Sequence, residues 1–218
     1  LCEGRWERHL PRDCLSITIM DTLVARLQDT LSSDQATRDA AEQYLAHETL
    51  PKSGTDDVLG VQLAQILSEA SLSLFVRQAA AIALKKYVRK RWSIFFDTFT
   101  QDMVVNGIVQ TVDATPVEAK EHIRTSLLAC LCDAEPKVRS QASDILSLIS
   151  SCDFPDHFPQ LLPTLQAYLH SYTEQDAHAA YKVHGAMKFL LDLVHVELDE
   201  NQLLMVAQQL VPLLQGIV

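Results

Sequence analysis

The groups of this 218-residue chain that could do chemistry are few and dispersed. Five cysteines (Cys2, Cys14, Cys130, Cys132, Cys152) and eight histidines are its candidate metal ligands and nucleophiles. The cysteines are odd in number and show no CxxC spacing, so they define neither a disulfide framework nor a zinc site. Cys130 and Cys132 stand two positions apart, which on a helix turns their side chains about 200° from one another and keeps them off a shared metal. Cys130 reads as a small core filler, and the set as reduced thiols of an intracellular protein. The histidines are scattered, and no Gly-rich phosphate loop, HExxH or GxSxG is present, so no catalytic residue, metal or cofactor is predicted. An enzyme remains as a third reading that only observed turnover could revive.

Two charged sets could bind partners instead. Lys85, Lys86, Arg89, Lys90 and Arg91 have the composition of a phosphate-binding patch or localisation signal. They end a strongly patterned helix, however, where cations complement the dipole and exposed carbonyls. The acidic residues Glu174, Asp176, Asp192, Glu197, Asp199 and Glu200 bracket the fourth of the helical hairpins described below and could meet a basic partner. A solvated surface is the plainer reading of both.

The elements that position these groups are helical. Hydrophobic content of 48% and charged content of 21% suit a globular chain with a substantial core, while six glycines and few aromatic residues argue against sheets. A net charge of −10 excludes a general phosphate-neutralising surface, so direct nucleic-acid binding is not expected and basic protein partners are. No uninterrupted apolar stretch reaches the roughly 18 residues of a membrane span, and no membrane insertion is expected. Residues 1 to 19 mix Arg5, Arg8 and Arg12 with Glu3, Glu7 and Asp13. They read as a poorly structured extension, with a degenerate targeting segment as the alternative, ahead of a first helix opening at Met20.

A repeat decides the fold. Thr37-Arg38 is followed by Ala41, Tyr44 and Leu45; Val76-Arg77 by Ala80, Ala83 and Leu84; Val138-Arg139 by Ala142, Ile145 and Leu146. A weaker fourth copy starts at Val183, with His184 in place of Arg and Met187 in place of Ala, then Leu190 and Leu191. This spacing puts the β-branched residue, the small residue and the apolar pair on one buried helical face. The small residue admits a neighbouring helix, and the arginine beside the stripe can reach a carboxylate or carbonyl. An apolar-periodic segment precedes each copy (about 21 to 31, 57 to 70, 116 to 132 and 157 to 172). Ser33-Asp34, Pro116 and Pro136 supply helix starts.

The expectation is an all-α, right-handed HEAT or armadillo-type α-solenoid of antiparallel helix hairpins over residues 20–218, about four hairpins and the start of a fifth. The copies recur at roughly 39, 62 and 45 residues, against 40 to 47 for such repeats, so an insertion is expected between Trp92 and Thr115. There Phe95, Phe96 and Phe99 could pack a longer helix or loop. The run Val211-Pro212-Leu213-Leu214 needs cover, which predicts a fragment of a longer solenoid or a partner over the last helix.

Two segments carry a family resemblance. Phe75-Val76-Arg77-Gln78-Ala79-Ala80-Ala81-Ile82-Ala83-Leu84-Lys85-Lys86-Tyr87-Val88, closed by Trp92, resembles the second repeat of the importin-beta family, in which Arg-Gln-x-Ala leads to Leu-Lys and then an aromatic residue. Phe154-Pro155-Asp156-His157-Phe158-Pro159-Gln160-Leu161-Leu162 resembles the aromatic-Pro opening of its fourth repeat, with Phe154 where tryptophan is frequent. Val183-His184-Gly185-Ala186-Met187 is most similar to the importin-nine type.

The resemblance implies a nuclear transport receptor shuttling between cytoplasm and nucleus through the pore. It would bind Ran GTPase in its GTP form, nucleoporins, and basic cargo such as histones or ribosomal proteins, which the acidic balance suits. It implies a Ran surface on the second helices of the first hairpins. By position that surface would include Gln35, Arg38, Asp39 and Glu42 in the first and Gln78, Lys85 and Arg89 in the second. Glu174, Asp176, Glu197, Asp199 and Glu200 would face cargo. A HEAT-repeat scaffold indifferent to nucleotide is the competing reading.

Overall fold

A computed structural model describes residues 12–48, 58–93, 96, 102–105, 108–111, 115–173, 177–196 and 198–217. Helices α1 (Arg12–Asp29) and α2 (Gln35–Glu48) form a first hairpin, and α3 (Leu59–Ser68) and α4 (Leu74–Arg91) a second. A third is formed by α5 (Val117–Cys130) and α6 (Pro136–Asp153), and a fourth by α7 (Leu161–His170) and α8 (Ala177–Val194); α9 (Glu200–Ile217) follows. Second helices stack in series, α4 on α6 and α6 on α8, while α3 packs on α5 and α7 on α9. One continuous core runs from Leu23 to Leu210.

Helix starts follow local chemistry. Asp34 caps α2, its carboxylate accepting from Thr37 N at 2.8 Å. Pro136 stands in the first turn of α6, where its missing N–H leaves no bond unmade. At α9, Asp199 Oδ1 accepts from Gln202 N at 2.8 Å and Gln202 Oε1 accepts from Asp199 N at 2.9 Å, a reciprocal capping box.

The repeat motif is the buried face in the middle hairpins. Val76, Ala80 and Leu84, and likewise Val138, Ala142, Ile145 and Leu146, lie at 0 or 1% exposure. Fully burying each large aliphatic side chain contributes about 1.5–3 kcal/mol, so these stripes carry much of the stack's stability.

Three expectations are corrected. First, α1 begins at Arg12, ahead of Met20. No proline or glycine stands between the two, and Asp13 suits a first turn.

Second, the fourth copy is displaced. Met187 and Leu191 are exposed, and α8 buries Ala179, Ala186, Phe189 and Leu193 instead. The small residue must sit where the neighbouring segment comes closest. That point is at Gly185 and Ala186, since a Cβ added to Gly185 would lie 1.9 Å from the Leu131 carbonyl oxygen. Methionine cannot occupy such an approach.

Third, the insertion is where spacing placed it but contains two strands, β1 (Asp102–Val105) and β2 (Ile108–Thr111), paired antiparallel with Val105 opposite Ile108. Val104, Val105, Ile108 and Val109 are β-branched, a composition that favours strand over helix. Phe96 packs against the core, while Phe95 and Phe99 lie outside the described residues. The insertion is closed at its base: Thr115 N donates to Arg91 O at 2.7 Å, and Thr115 Oγ1 lies 3.1 Å from the Tyr87 hydroxyl.

Candidate partner-binding surface

The first hairpin docks on α4 chiefly through α1, which leaves α2 standing off from α4. Between them opens a groove of about 490 Å³. Its α4 wall carries Phe75, Gln78, Ala79, Ile82, Lys86 and Lys90, positions that fall on one helical face. Glu42 and Leu45 of α2 and Leu31 after α1 line the opposite side, with Leu59 and Leu63 of α3 beneath. The wall is apolar toward the start of α4 and cationic toward its end.

Of the residues predicted to bind a partner, Glu42 and Gln78 meet at this groove. Gln35, Arg38 and Asp39 bond among themselves at the start of α2: Gln35 bridges Arg38 and Asp39, and Arg38 Nη1 also reaches Ser32 O at 2.6 Å. Lys85 turns toward the third hairpin and pairs with Asp144 of α6. Arg89 is exposed near the end of α4 and is not among the lining residues. Lys86, Lys90, Phe75, Ile82 and Leu31 were not singled out by sequence as one site. The signal for the α4 members was their spacing of three and four residues along α4, hidden by reading Lys85 through Arg91 as a dipole-complementing run.

The acidic set is divided. Asp199 and Glu200 are exposed at the start of α9, with Asp199 committed to its capping box. Asp192 is held by Lys188 and by the Ser143 hydroxyl. Glu174, Asp176 and Glu197 lie outside the described residues.

The motif arginines tie the scaffold rather than the surface. Arg77 Nε donates to Leu67 O at 2.8 Å, and its guanidinium pairs with Asp133 in the turn of the next hairpin. Arg139 donates to Asp133 O at 2.6 Å and Ala134 O at 2.9 Å, lies 5.0 Å from the Tyr181 ring centre, and reaches His184 Nδ1 at 3.2 Å. Arg77 and Arg139 thus satisfy carbonyls at the end of their own first helix or in the turn that follows and touch the following repeat, while Arg38 makes the turn contact alone. At the other end of α5, Lys120 lies 5.1 Å from the Trp92 ring centre, its ammonium pKa held below the ordinary value by burial.

Cys130 is buried, and that burial pushes its thiol up to about 12. Among the described residues no group of three or more His, Cys, Asp or Glu could hold a metal ion, and no helix is long and apolar enough to cross a membrane.

Residues 41–133 match the model of the importin-beta N-terminal domain, a span containing all of the groove's lining except Thr30 and Leu31. Exportin-2 of Drosophila melanogaster is 27% identical over 143 residues, 66% of this chain and 13% of that protein. Importin-9 of the same organism is 25% identical over 175 residues, 80% of this chain and 15% of that protein. Among solved structures, the exportin Cse1 in its cargo-free, cytoplasmic state superposes with a TM-score of 0.66 at 18% identity, covering 91% of this chain and 19% of Cse1. The stack is therefore a HEAT-repeat α-solenoid. Together the matches make this chain similar to members of the importin-beta family, and it spans about an eighth of the length of the curated relatives it matches.

Proposed function

We propose that this chain is the Ran-binding N-terminal region of a nuclear transport receptor, acting by holding other proteins rather than by catalysis. The observation that carries the reading is the groove between the second helices of the first two hairpins, most of whose lining falls in the span that matches the family's N-terminal domain. Ran in its GTP form would lie across α2 and α4, with Glu42 and Gln78 at the groove, Gln35, Arg38 and Asp39 at one edge and Lys85 and Arg89 at the other.

The acidic balance supports import of basic cargo such as histones or ribosomal proteins, with Asp199 and Glu200 on the cargo side together with Glu174, Asp176 and Glu197. Nucleoporin contact and shuttling between cytoplasm and nucleus belong to the same reading.

The test is binding of residues 1–218 to Ran loaded with GTP or with GDP at one fixed salt concentration. A preference for the GTP form that falls on reversing Glu42 is expected. Equal or absent binding by a folded chain would favour the nucleotide-indifferent scaffold. The match to an exportin supports a second reading, export. The two directions differ in the sign of coupling: Ran-GTP weakens cargo binding to an import receptor and strengthens it in the opposite case, by linkage.

A further inference from the structure

We propose that the α2–α4 groove is a docking slot for a helical segment of a partner protein that presents an apolar side chain followed, one to two turns on, by acidic side chains. The inference uses the face discussed above but does not require its nucleotide dependence.

The argument begins with what is left over after the fold is built. Phe75 at 67% exposure, Ile82 at 55% and Leu31 at 52% gather at one groove, whereas other exposed apolar side chains among the described residues, such as Val117 and Val194, do not line it. An apolar patch rimmed by polar groups marks an interaction site.

The cations sort the same way. Lys85 is paired with Asp144, Lys188 with Asp192, and Arg77 and Arg124 with Asp133 and Asp153. Among the described residues Lys86 and Lys90 have no ion pair or hydrogen bond and both line the groove, while Lys137, equally unpaired, stands alone on α6 away from it. Glu42 on the opposite side supplies one negative charge, so the two ammonium groups leave the groove net positive, and beside exposed apolar side chains they select an acidic, apolar complement over a basic one.

The order along α4 sets the spacing of that complement. Phe75, Ala79, Ile82, Lys86 and Lys90 follow one face, so at 1.5 Å per residue the first ammonium lies about 6 Å and the second about 12 Å beyond Ile82. A partner helix lying along α4 meets both features if its carboxylates follow its apolar residue by four and eight positions. This is a helix laid into a groove with a charged end, which fixes its direction as well as its place.

The probe is a dye-labelled, alanine-based helical peptide with two leucines one turn apart and glutamates four and eight residues on, compared with a peptide bearing lysines there. Fluorescence anisotropy with the 218-residue chain is expected to show the glutamate peptide bound about tenfold tighter or more. The double variant Lys86→Glu, Lys90→Glu should reverse the preference. Ala79→Trp, with its helical circular dichroism intact, should abolish binding of either peptide by filling the groove. Lys137→Glu, at an exposed cation on α6 away from the groove, should change nothing.

Failure of the glutamate peptide to bind the folded chain, equal binding of both peptides, or an equal loss on Lys137→Glu would overturn the proposal. No GTPase is in the assay, so its failure is separate from failure of the Ran reading.

Discussion

The indole Nε1 of Trp92 donates to Oδ2 of Asp153 at 2.9 Å, tying the end of α4 to the end of α6 across 61 positions of chain. The same oxygen accepts from Arg124 Nε at 3.1 Å and Nη2 at 2.6 Å, and the Arg124 guanidinium lies between the rings of Trp92 and Phe158, 5.5 and 5.3 Å from their centres. One buried carboxylate therefore joins the second hairpin to the third, and the guanidinium it holds reaches the opening of the fourth.

Removing that carboxylate strands a buried guanidinium and a buried indole N–H. Asp153→Ala is expected to destabilise the chain by about 3–5 kcal/mol, read by urea unfolding. A loss below about 1 kcal/mol would mean that water replaces the carboxylate, contrary to its burial.

Gly185 is where α8 comes closest to the segment after α5. With an added Cβ 1.9 Å from the Leu131 carbonyl, Gly185→Ala requires backbone movement and should lower stability by about 3 kcal/mol. A thermal melt within a degree of wild type would contradict this approach of the two backbones.

The register of the fourth hairpin can be tested by a pair of substitutions. Ala186→Leu should cost about 1–3 kcal/mol through overpacking, as should Ala80→Leu and Ala142→Leu in the earlier copies. Met187→Ala should stay within about 0.5 kcal/mol, as an exposed position does. The reverse order of effects would restore the register expected from sequence.

Burial holds the Cys130 thiol neutral, raising its pKa from 9.0 to about 12. At pH 8 roughly one Cys130 in ten thousand is thiolate, so iodoacetamide should modify it only after unfolding. Because the folded state keeps a proton that the unfolded state loses above about pH 9, the associated stability is fully present below pH 9 and declines as pH rises toward 12. Rapid alkylation of Cys130 in the native chain at pH 8 would place the thiol at the surface.

Much of the stack was legible because helical hairpins leave local marks. Ala80 and Ala142, Asp34 and Pro136 each stand within a turn of the feature they determine, so spacing alone located them. The errors arose where a distant neighbour decides. Met187 occupies the motif position in α8, yet the backbone near Leu131 selects Ala186. The β-branched Val104, Val105, Ile108 and Val109 were a local strand signal, but the helical period on either side drew the insertion toward helix or loop. The groove depends on how far α2 stands from α4, a distance that no one-dimensional pattern records. Lys86 and Lys90 could be separated from Lys85 only once Asp144 was seen to claim the latter.

The hydrogen bond from Thr115 N to Arg91 O makes the chain return almost to the point where it left. Lengthening such a detour is thermodynamically mild, since doubling a flexible loop adds only about 0.6 kcal/mol of closure entropy. The junction is therefore a natural grafting point, where a fluorescent reporter or a new recognition module could be spliced in, or be acquired during divergence of a lineage, while the hairpins on either side keep their alignment.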